Sequence, residues 1–432
     1  MARFVERLWN PTGYGQLSRR DRAAGRYRAY IPDELGSALP PIGPDAQAAA
    51  EDALTVLARA DERIGSRSSY LNHLLIRSES ISSSWIEGNR ITPKRLAVAE
   101  LLHHGPRVAL DVIANVRATE DAIDTLADHR HVISVSDIED LQHVIEPSLE
   151  RGLRTEQNWV GGAGWSPLRA EFIPPPESEV ERLVSDLAGF LTETSGNAVV
   201  RAAIAHAQFE TIHPFIDGNG RTGRALIHTV LRRADAVRHA LIPISTVFAG
   251  DTDSYIAGLS AFRADPPRLD EWVLGFARAT EIAATNAVRL ADDIASLDAQ
   301  IKADFITYRR AQGLAPAVPR RDSVALRILE HLAAEPVLTL DSVAERHGVS
   351  TTAAHRALTL LADADILSRT KDQRGRLVCW TADRHLALVA RVGGADTAAR
   401  TPRSGPPLPD VDRLGPLRAE PIDGDETAIR RQ

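Results

Sequence analysis

The sequence predicts a mainly α-helical protein with one short β-hairpin and, near the C-terminus, a small α+β unit. Three observations lead there. Apolar residues at helical spacing run from about 46 to 150 and again from 177 to about 311. Between these stretches, 152–176 break the spacing with glycine and proline clusters around short apolar pairs. Beyond a Gly/Pro/Ala-rich stretch at 313–319, residues 322–380 combine three short helix patterns with a polar-tipped ribbon.

A chain of 432 residues is too long for one ordinary domain; two to four are expected. Apolar residues at 44% and charged residues at 25% are ordinary globular proportions. The longest apolar runs fall well short of the roughly 20 residues needed to span a bilayer, and Met1 to Glu6 do not begin a signal peptide. No membrane role is expected. A single cysteine, Cys379, excludes an intrachain disulfide or a cysteine metal cluster and points to a reducing, cytoplasmic setting. The net charge of -7 argues against wholesale coating of nucleic acid. Only Lys94, Lys302 and Lys371 are lysines, so arginine is enriched everywhere and a single arginine cluster carries less weight.

Residues 1 to about 45 read as irregular, with Pro32, Pro40, Pro41 and Pro44 marking an extended segment. In the first helical stretch, Leu71, Leu74 and Leu75 start an apolar stripe that continues to Ile81. That helix, about 66–88, should stop at Gly88, and Thr92-Pro93 reads as the cap and first position of the next. In 152–176, Trp159-Val160 precedes Gly161-Gly162, and Phe172-Ile173 precedes Pro174-Pro175-Pro176; two short strands with a loose turn fit best. A long amphipathic helix is expected near 269–311. The tail from Gly393 to Gln432, rich in Pro, Gly, Ala and charge, reads as disordered.

The most informative stretch is His213-Pro214-Phe215-Ile216-Asp217-Gly218-Asn219-Gly220-Arg221-Thr222-Gly223-Arg224. It ends one helix at Ile212 and begins another near Gly220. Gly218 and Gly220 let backbone N–H groups approach a ligand, and the helix N-terminus behind them favours an anion. Arg221 and Arg224, three apart, can grip successive phosphates. Asp217 at the loop apex can hold a hard cation such as Mg²⁺ between phosphate oxygens. His213, with an ordinary pKa near 6.5, suits a general base beside the cradle.

This stretch resembles the motif of the Fic-domain (Fido) family, His-x-Phe-x-Asp/Glu-Gly-Asn-Gly-Arg-x-x-Arg, at every fixed position, and the upstream Ala205 to Ile212 is similar as well. The resemblance implies a Fic-type helical core at 111–285, after an associated N-terminal segment at 1–110. It also implies transfer of AMP from ATP to a protein hydroxyl. His213 would take the proton of the target Ser, Thr or Tyr, and buried Phe215 would anchor the loop. Asp217 would ligate Mg²⁺. Gly218, Asn219 and Gly220 would hold the α-phosphate, with Arg221 on the β-phosphate and Arg224 on the γ-phosphate. The hairpin near 157–173 resembles the family's flap, implying that Asn158, Trp159, Val160 and Gly161 align the target by strand addition. Tyr255 falls where the family often has a pair of tyrosines near the adenine; only one tyrosine is present here.

Ser83-Ser84-Trp85-Ile86-Glu87-Gly88 resembles the family's inhibitory pattern, Ser/Thr-x-x-x-Glu-Gly/Asn, in the class whose inhibitory helix precedes the core. The resemblance implies that Glu87 pairs with Arg224 and excludes a productive γ-phosphate, while Ser83 supports the helix end.

After the long helix's end and linker (286–320), residues 321–392 read as a winged helix-turn-helix. Val324 to Leu332 fit a first helix and Leu340 to Ala344 a second that stops at Gly348. Ser350 caps a third, and Arg369 to Trp380 form a wing tipped by Lys371, Arg374 and Arg376. Such units often bind DNA. Seven basic and eight acidic side chains across 322–380, with only His355 and Arg356 on the third helix, leave DNA binding and a structural or protein-docking role equally open. Two other readings of the whole chain remain: a DNA-binding regulator with a nucleotide-sensing domain, and an enzyme that removes AMP or uses another nucleotide donor. The target, self-modification and a homodimer also stay open.

Overall fold

The computed structural model describes residues 2–11, 23–65, 69–162, 166–371 and 378–392. The first 45 residues, expected to be irregular, instead begin with a hairpin. Strands β1 (Arg3–Trp9) and β2 (Gly25–Ile31) pair antiparallel, Arg3 opposite Ile31 and Trp9 opposite Gly25. The physical reason is a period of two: Tyr27, Ala29 and Ile31 turn inward while Arg26 and Arg28 face solvent. Pro32, Pro40, Pro41 and Pro44 all follow the end of β2.

Helices follow in close succession: α1 (Pro44–Gly65), α2 (Ser69–Ile86), α3 (Pro93–Leu102), α4 (Arg107–Thr125), α5 (Val135–Ile145), α6 (Glu177–Glu193), α7 (Ala198–Ile212), α8 (Asn219–Arg233), α9 (Ser245–Gly250), α10 (Thr252–Phe262) and α11 (Leu269–Ala311). All fifteen residues of α7 are buried, as expected of a helix without a polar face placed at the centre of a bundle. α8 packs beside it, buried from Asn219 to Leu231. α1 lies along α11 through alanines such as Ala46, Ala50 and Ala53 on one side and Ala283, Ala284 and Ala287 on the other, which lets the two axes approach closely. α2 ends as the sequence predicts: Gly88 has φ +83°, and the Thr92 hydroxyl accepts from the Arg95 N–H with Pro93 in the first turn of α3.

The 152–176 segment is a smaller hairpin than expected. Val160 and Phe172 form one antiparallel bridge, and a single 3₁₀ turn, Pro167–Arg169, sits between them. Gly161 and Gly162, both at positive φ, turn the chain at once on one side. On the other side the three prolines from Pro174 offer no N–H donors to extend a ladder. The segment leans on β2: the Tyr30 N–H donates to the Ile173 carbonyl (3.0 Å), and Trp9 meets Trp159 edge to face at 5.7 Å.

Beyond α11 come α12 (Val324–Leu329), β3 (Val337–Leu338), α13 (Leu340–His347), α14 (Thr351–Asp363), β4 (Ser368–Lys371), β5 (Val378–Thr381) and α15 (Asp383–Val392), with an antiparallel sheet in the order β3-β5-β4. Gly348 terminates α13 at φ +60°, and Ser350 caps α14. Arg374 and Arg376, read as part of the wing tip, and the tail 393–432 lie outside the described residues. This unit packs against the rest of the chain. Ile301 and Phe305 of α11 enter its core. Ala97 of α3 meets Val337, Cys379 and Leu386. Arg77 of α2 donates to the Ala334 carbonyl (3.0 Å), and Lys94 pairs with Asp383 (2.8 Å).

Phe305, fully buried, joins α11 to this unit. Phe305→Ala is therefore expected to cost about 3–5 kcal/mol, read as a lowered urea midpoint by circular dichroism. An unchanged midpoint would mean that the unit is not held through α11. Among the described residues no helix is long and apolar enough to cross a membrane.

Candidate active site

The site forms where α7 ends and α8 begins. His213 closes α7 in a left-handed conformation (φ 49°), its N–H donating to the Phe209 carbonyl (2.9 Å). This reversal exposes carbonyls that two side chains satisfy. Arg154, buried, donates from Nε to the His213 carbonyl (2.9 Å) and from Nη2 to the Pro175 carbonyl (2.6 Å). Asn158 donates to the carbonyls of His213 (3.1 Å) and Phe215 (3.0 Å). Asn158, expected to align a target, therefore has its amide nitrogen on the motif loop, and Arg154 is a site residue that the sequence reading missed. No local pattern marks it; only the fold brings it beneath the helix end.

Phe215 is buried against Phe209 and anchors the loop core. The amide of Asn219 then locks the turn, accepting from the Phe215 N–H (2.9 Å) and donating to the Phe215 carbonyl (2.8 Å). Its side chain is occupied by the loop, so what Asn219 offers an anion is its backbone N–H at the first turn of α8. Gly218, at φ +82°, makes the approach to that turn possible.

The two motif arginines point to different neighbours. Arg221, buried, pairs with Glu146 at the end of α5 (3.0 Å) and lies 3.5 Å from Asp217. Its Nε and Nη1 have no hydrogen-bond partner among the described residues. Glu146 was also missed in the sequence. Arg224, 1% exposed, turns to the end of α2. Its Nε donates to Ser83 Oγ (2.8 Å), and its Nη2 donates to the Ser83 carbonyl (3.0 Å) and Glu87 Oε1 (2.7 Å). Ser83 thus holds the arginine rather than the helix end for which the sequence reading assigned it, because its hydroxyl faces α8 one turn before Glu87. A Cβ on Gly220 would run into Glu87 Oε1, so this carboxylate lies directly over the first turn of α8. An anion held at that position meets the partial positive charge of the helix end.

The charges respond accordingly. Burial alone would raise the Glu87 carboxyl, but the Arg224 guanidinium outweighs it and holds the group below the usual carboxylate range. Burial likewise opposes charge on Arg224, and Glu87 more than restores it. Burial, reinforced by Arg154, pushes the His213 imidazole down to about 4, so the ring is a neutral base at neutral pH.

Tyr255 is not near an open face. It is buried, its ring stacked on Phe248 (4.6 Å) and its hydroxyl 2.9 Å from His206 Nε2. One side of α10 is apolar, and the tyrosine lies on that side. Trp159 packs on Trp9, and Val160 has its backbone on Phe172. Asp217 is half-exposed; one oxygen accepts from the Gly218 N–H (2.5 Å). Among the described residues no cluster of three or more His, Cys, Asp or Glu side chains could hold a metal ion. The half-exposed Asp217 carboxylate offers the oxygen ligand that a hard cation such as Mg²⁺ would require there.

Residues 129–231 match the model of the Fic/DOC family. Protein adenylyltransferase fic-1 of Caenorhabditis briggsae is 31% identical over 146 residues, covering 32% of this chain and 27% of that protein. Protein adenylyltransferase Fic of Drosophila mojavensis is 29% identical over 245 residues, covering 52% of this chain and 43% of that protein. The chain thus spans less than half the length of these relatives. A Fic family protein from Desulfovibrio desulfuricans superposes with a TM-score of 0.47 at 20% identity, over 80% of this chain and 98% of that one. The family and sequence matches support a Fic/Fido domain in this chain.

Proposed function

We propose that this protein transfers AMP from ATP to a Ser, Thr or Tyr hydroxyl of a protein, and that Glu87 holds the activity back. The observation that carries this reading is the position of the Glu87 carboxylate, over the first turn of α8 and on Arg224. A carboxylate seated at a helix N-terminus between a neutral histidine and two arginines marks where a phosphate would bind.

In the proposed reaction His213 takes the hydroxyl proton, and the target oxygen bonds to the α-phosphorus as the bond to the pyrophosphate oxygen breaks. Negative charge then grows on the leaving pyrophosphate. Arg221, with free donors, and Arg224, once released from Glu87, would meet that charge; the backbone N–H groups at the start of α8 would face the α-phosphate. Mg²⁺ on Asp217 would neutralise phosphate charge. Trp159 and Gly161, on either side of the bridged Val160, would offer backbone to an extended target segment.

We read the C-terminal helices and sheet as a winged helix. Thr351, Thr352, His355 and Arg356 are the exposed residues that DNA would meet on α14. The unit's near-neutral charge and its packing on α3 favour a structural or protein-docking role instead.

The test is incubation of wild type, Glu87→Gly and Glu87→Gly/His213→Ala with Mg²⁺ and ATP labelled at the α-phosphate, read on a gel. Protein label from Glu87→Gly alone is expected. Blank lanes for all three, with and without added lysate, would overturn AMP transfer by this chain.

A further inference from the structure

We infer that Glu210 is a positioning residue for His213: its carboxylate receives the Nδ1–H of the imidazole and turns Nε2 towards the target hydroxyl. The inference rests on the reading of His213 as the base.

The geometry begins with a buried carboxyl group one helix turn before the base. Glu210 lies one turn before His213 on α7, and its Oε2 is 3.9 Å from His213 Nδ1. Neither Glu210 Oε1 nor His213 Nδ1 has a hydrogen-bond partner among the described residues, although both atoms are buried. His213 Nδ1 thus lacks an acceptor at hydrogen-bond distance, and Glu210 Oε2 is the side-chain oxygen placed to supply one. The imidazole as a whole keeps 19% exposure, which leaves Nε2 as the nitrogen a target can reach. A shift of about 1 Å closes the gap, and catalytic hydrogen bonds are often long before substrate binds.

The space for this carboxyl is also built. A Cβ on Gly223 would meet Glu210 Oε1 at 2.9 Å, Phe209 Cδ1 at 2.9 Å and His206 Nδ1 at 3.1 Å. Gly223 lies in the motif between the two phosphate-facing arginines, and its missing side chain is where Glu210 fits.

The charged and titratable groups around Glu210 come from four elements. They are His206 and His213 on α7, Arg224 on α8, Tyr255 and Arg263 on and just after α10, and Glu87 after α2. Burial raises the Glu210 carboxyl to about 7; Arg224 pulls it down and Glu87 pushes it up. Removing Glu87 therefore favours the ionised form that grips Nδ1. The same clamp that covers the anion site also withholds the orienting charge from the base. When His213 takes the target proton on Nε2, an ionised Glu210 stabilises the resulting imidazolium through Nδ1–H.

The test places Glu210→Gln and Glu210→Asp in the Glu87→Gly background, with kcat and KM for ATP measured between pH 5.5 and 8.5. It adds nitrogen-15 NMR of the imidazole without nucleotide. Glu210→Gln is expected to lower kcat about ten- to a hundredfold with KM within about threefold. It should also remove a rise in rate with pH centred at or below about 7. Glu210→Asp, which keeps the charge on a shorter arm, should retain the pH limb and part of the rate, and it carries the test if the amide variant does not fold. NMR should show Nδ1–H as the dominant neutral tautomer with Glu210 and a mixture with glutamine. Unchanged kcat, pH limb and tautomer in Glu210→Gln would overturn the inference. If the Glu87→Gly parent transfers nothing, the functional reading has failed, while the tautomer still decides the role of Glu210.

Discussion

Glu87→Gly is expected to transfer AMP about thirty- to several-hundred-fold faster than wild type, read as the initial rate of label incorporation from the α-phosphate. The size follows from the pair it breaks. Arg224 is buried, and the Glu87 carboxylate 2.7 Å away is 37% exposed. Breaking a fully buried ion pair costs about 3–5 kcal/mol; partial exposure of one partner lowers this to roughly 2–4 kcal/mol. Each 1.4 kcal/mol is a factor of ten. The glycine should leave the fold intact, because α2 is tied to α8 independently. Glu79 of α2 pairs with His228 of α8 (3.0 Å) and accepts from the Ser245 N–H (2.9 Å), two turns before the clamp. The variant thus uncovers the first turn of α8 without freeing the helix that covers it. Ser83→Ala, which removes the Arg224 Nε acceptor but leaves the carboxylate in place, should activate far less. Equal rates for wild type and Glu87→Gly would reject the clamp.

How far the sequence could carry this is clearest from the residues themselves. Helical spacing and end signals worked where local chemistry decides the structure: Gly88, Thr92-Pro93, Gly348 and Ser350 each stop or start a helix through their own backbone and hydroxyls. The β1–β2 hairpin was hidden because Val5, Arg7 and Trp9 alternate inward on a strand whose inner face includes an arginine. Arg7 is satisfied there by Glu177, 170 residues away (2.6 Å). The motif residues were legible as a set, since phosphate chemistry requires glycine, arginine and acid close together. Their supports were not. Arg154 and Glu146 act across the fold on a carbonyl and a guanidinium, and Glu210 on an imidazole one helix turn away; nothing at their own positions announces it. Tyr255 shows the other side: its place in the sequence resembles a binding position, while the apolar face of α10 buries its ring.

Removing the imidazole from the activated protein is the sharper test of chemistry. Glu87→Gly/His213→Ala is expected to transfer about 10²- to 10⁴-fold more slowly than Glu87→Gly, the range that a positioned general base supplies. Its KM for ATP should stay within about threefold, because His213 touches the hydroxyl side of the reaction and the phosphates are left to α8 and its arginines. The backbone at this position does not depend on the ring. The 213 carbonyl is held by Arg154 and Asn158, and its N–H by the Phe209 carbonyl, all at 2.9–3.1 Å. The left-handed conformation costs alanine roughly 1–2 kcal/mol, which His213→Gly avoids. The two substitutions separate the possible causes of a loss. A deficit shared equally by alanine and glycine belongs to the missing base, whereas one confined to alanine belongs to the turn. A double variant that keeps the full rate would mean that the hydroxyl loses its proton elsewhere, and that the cradle between α7 and α8 binds the donor without His213 taking part in the step.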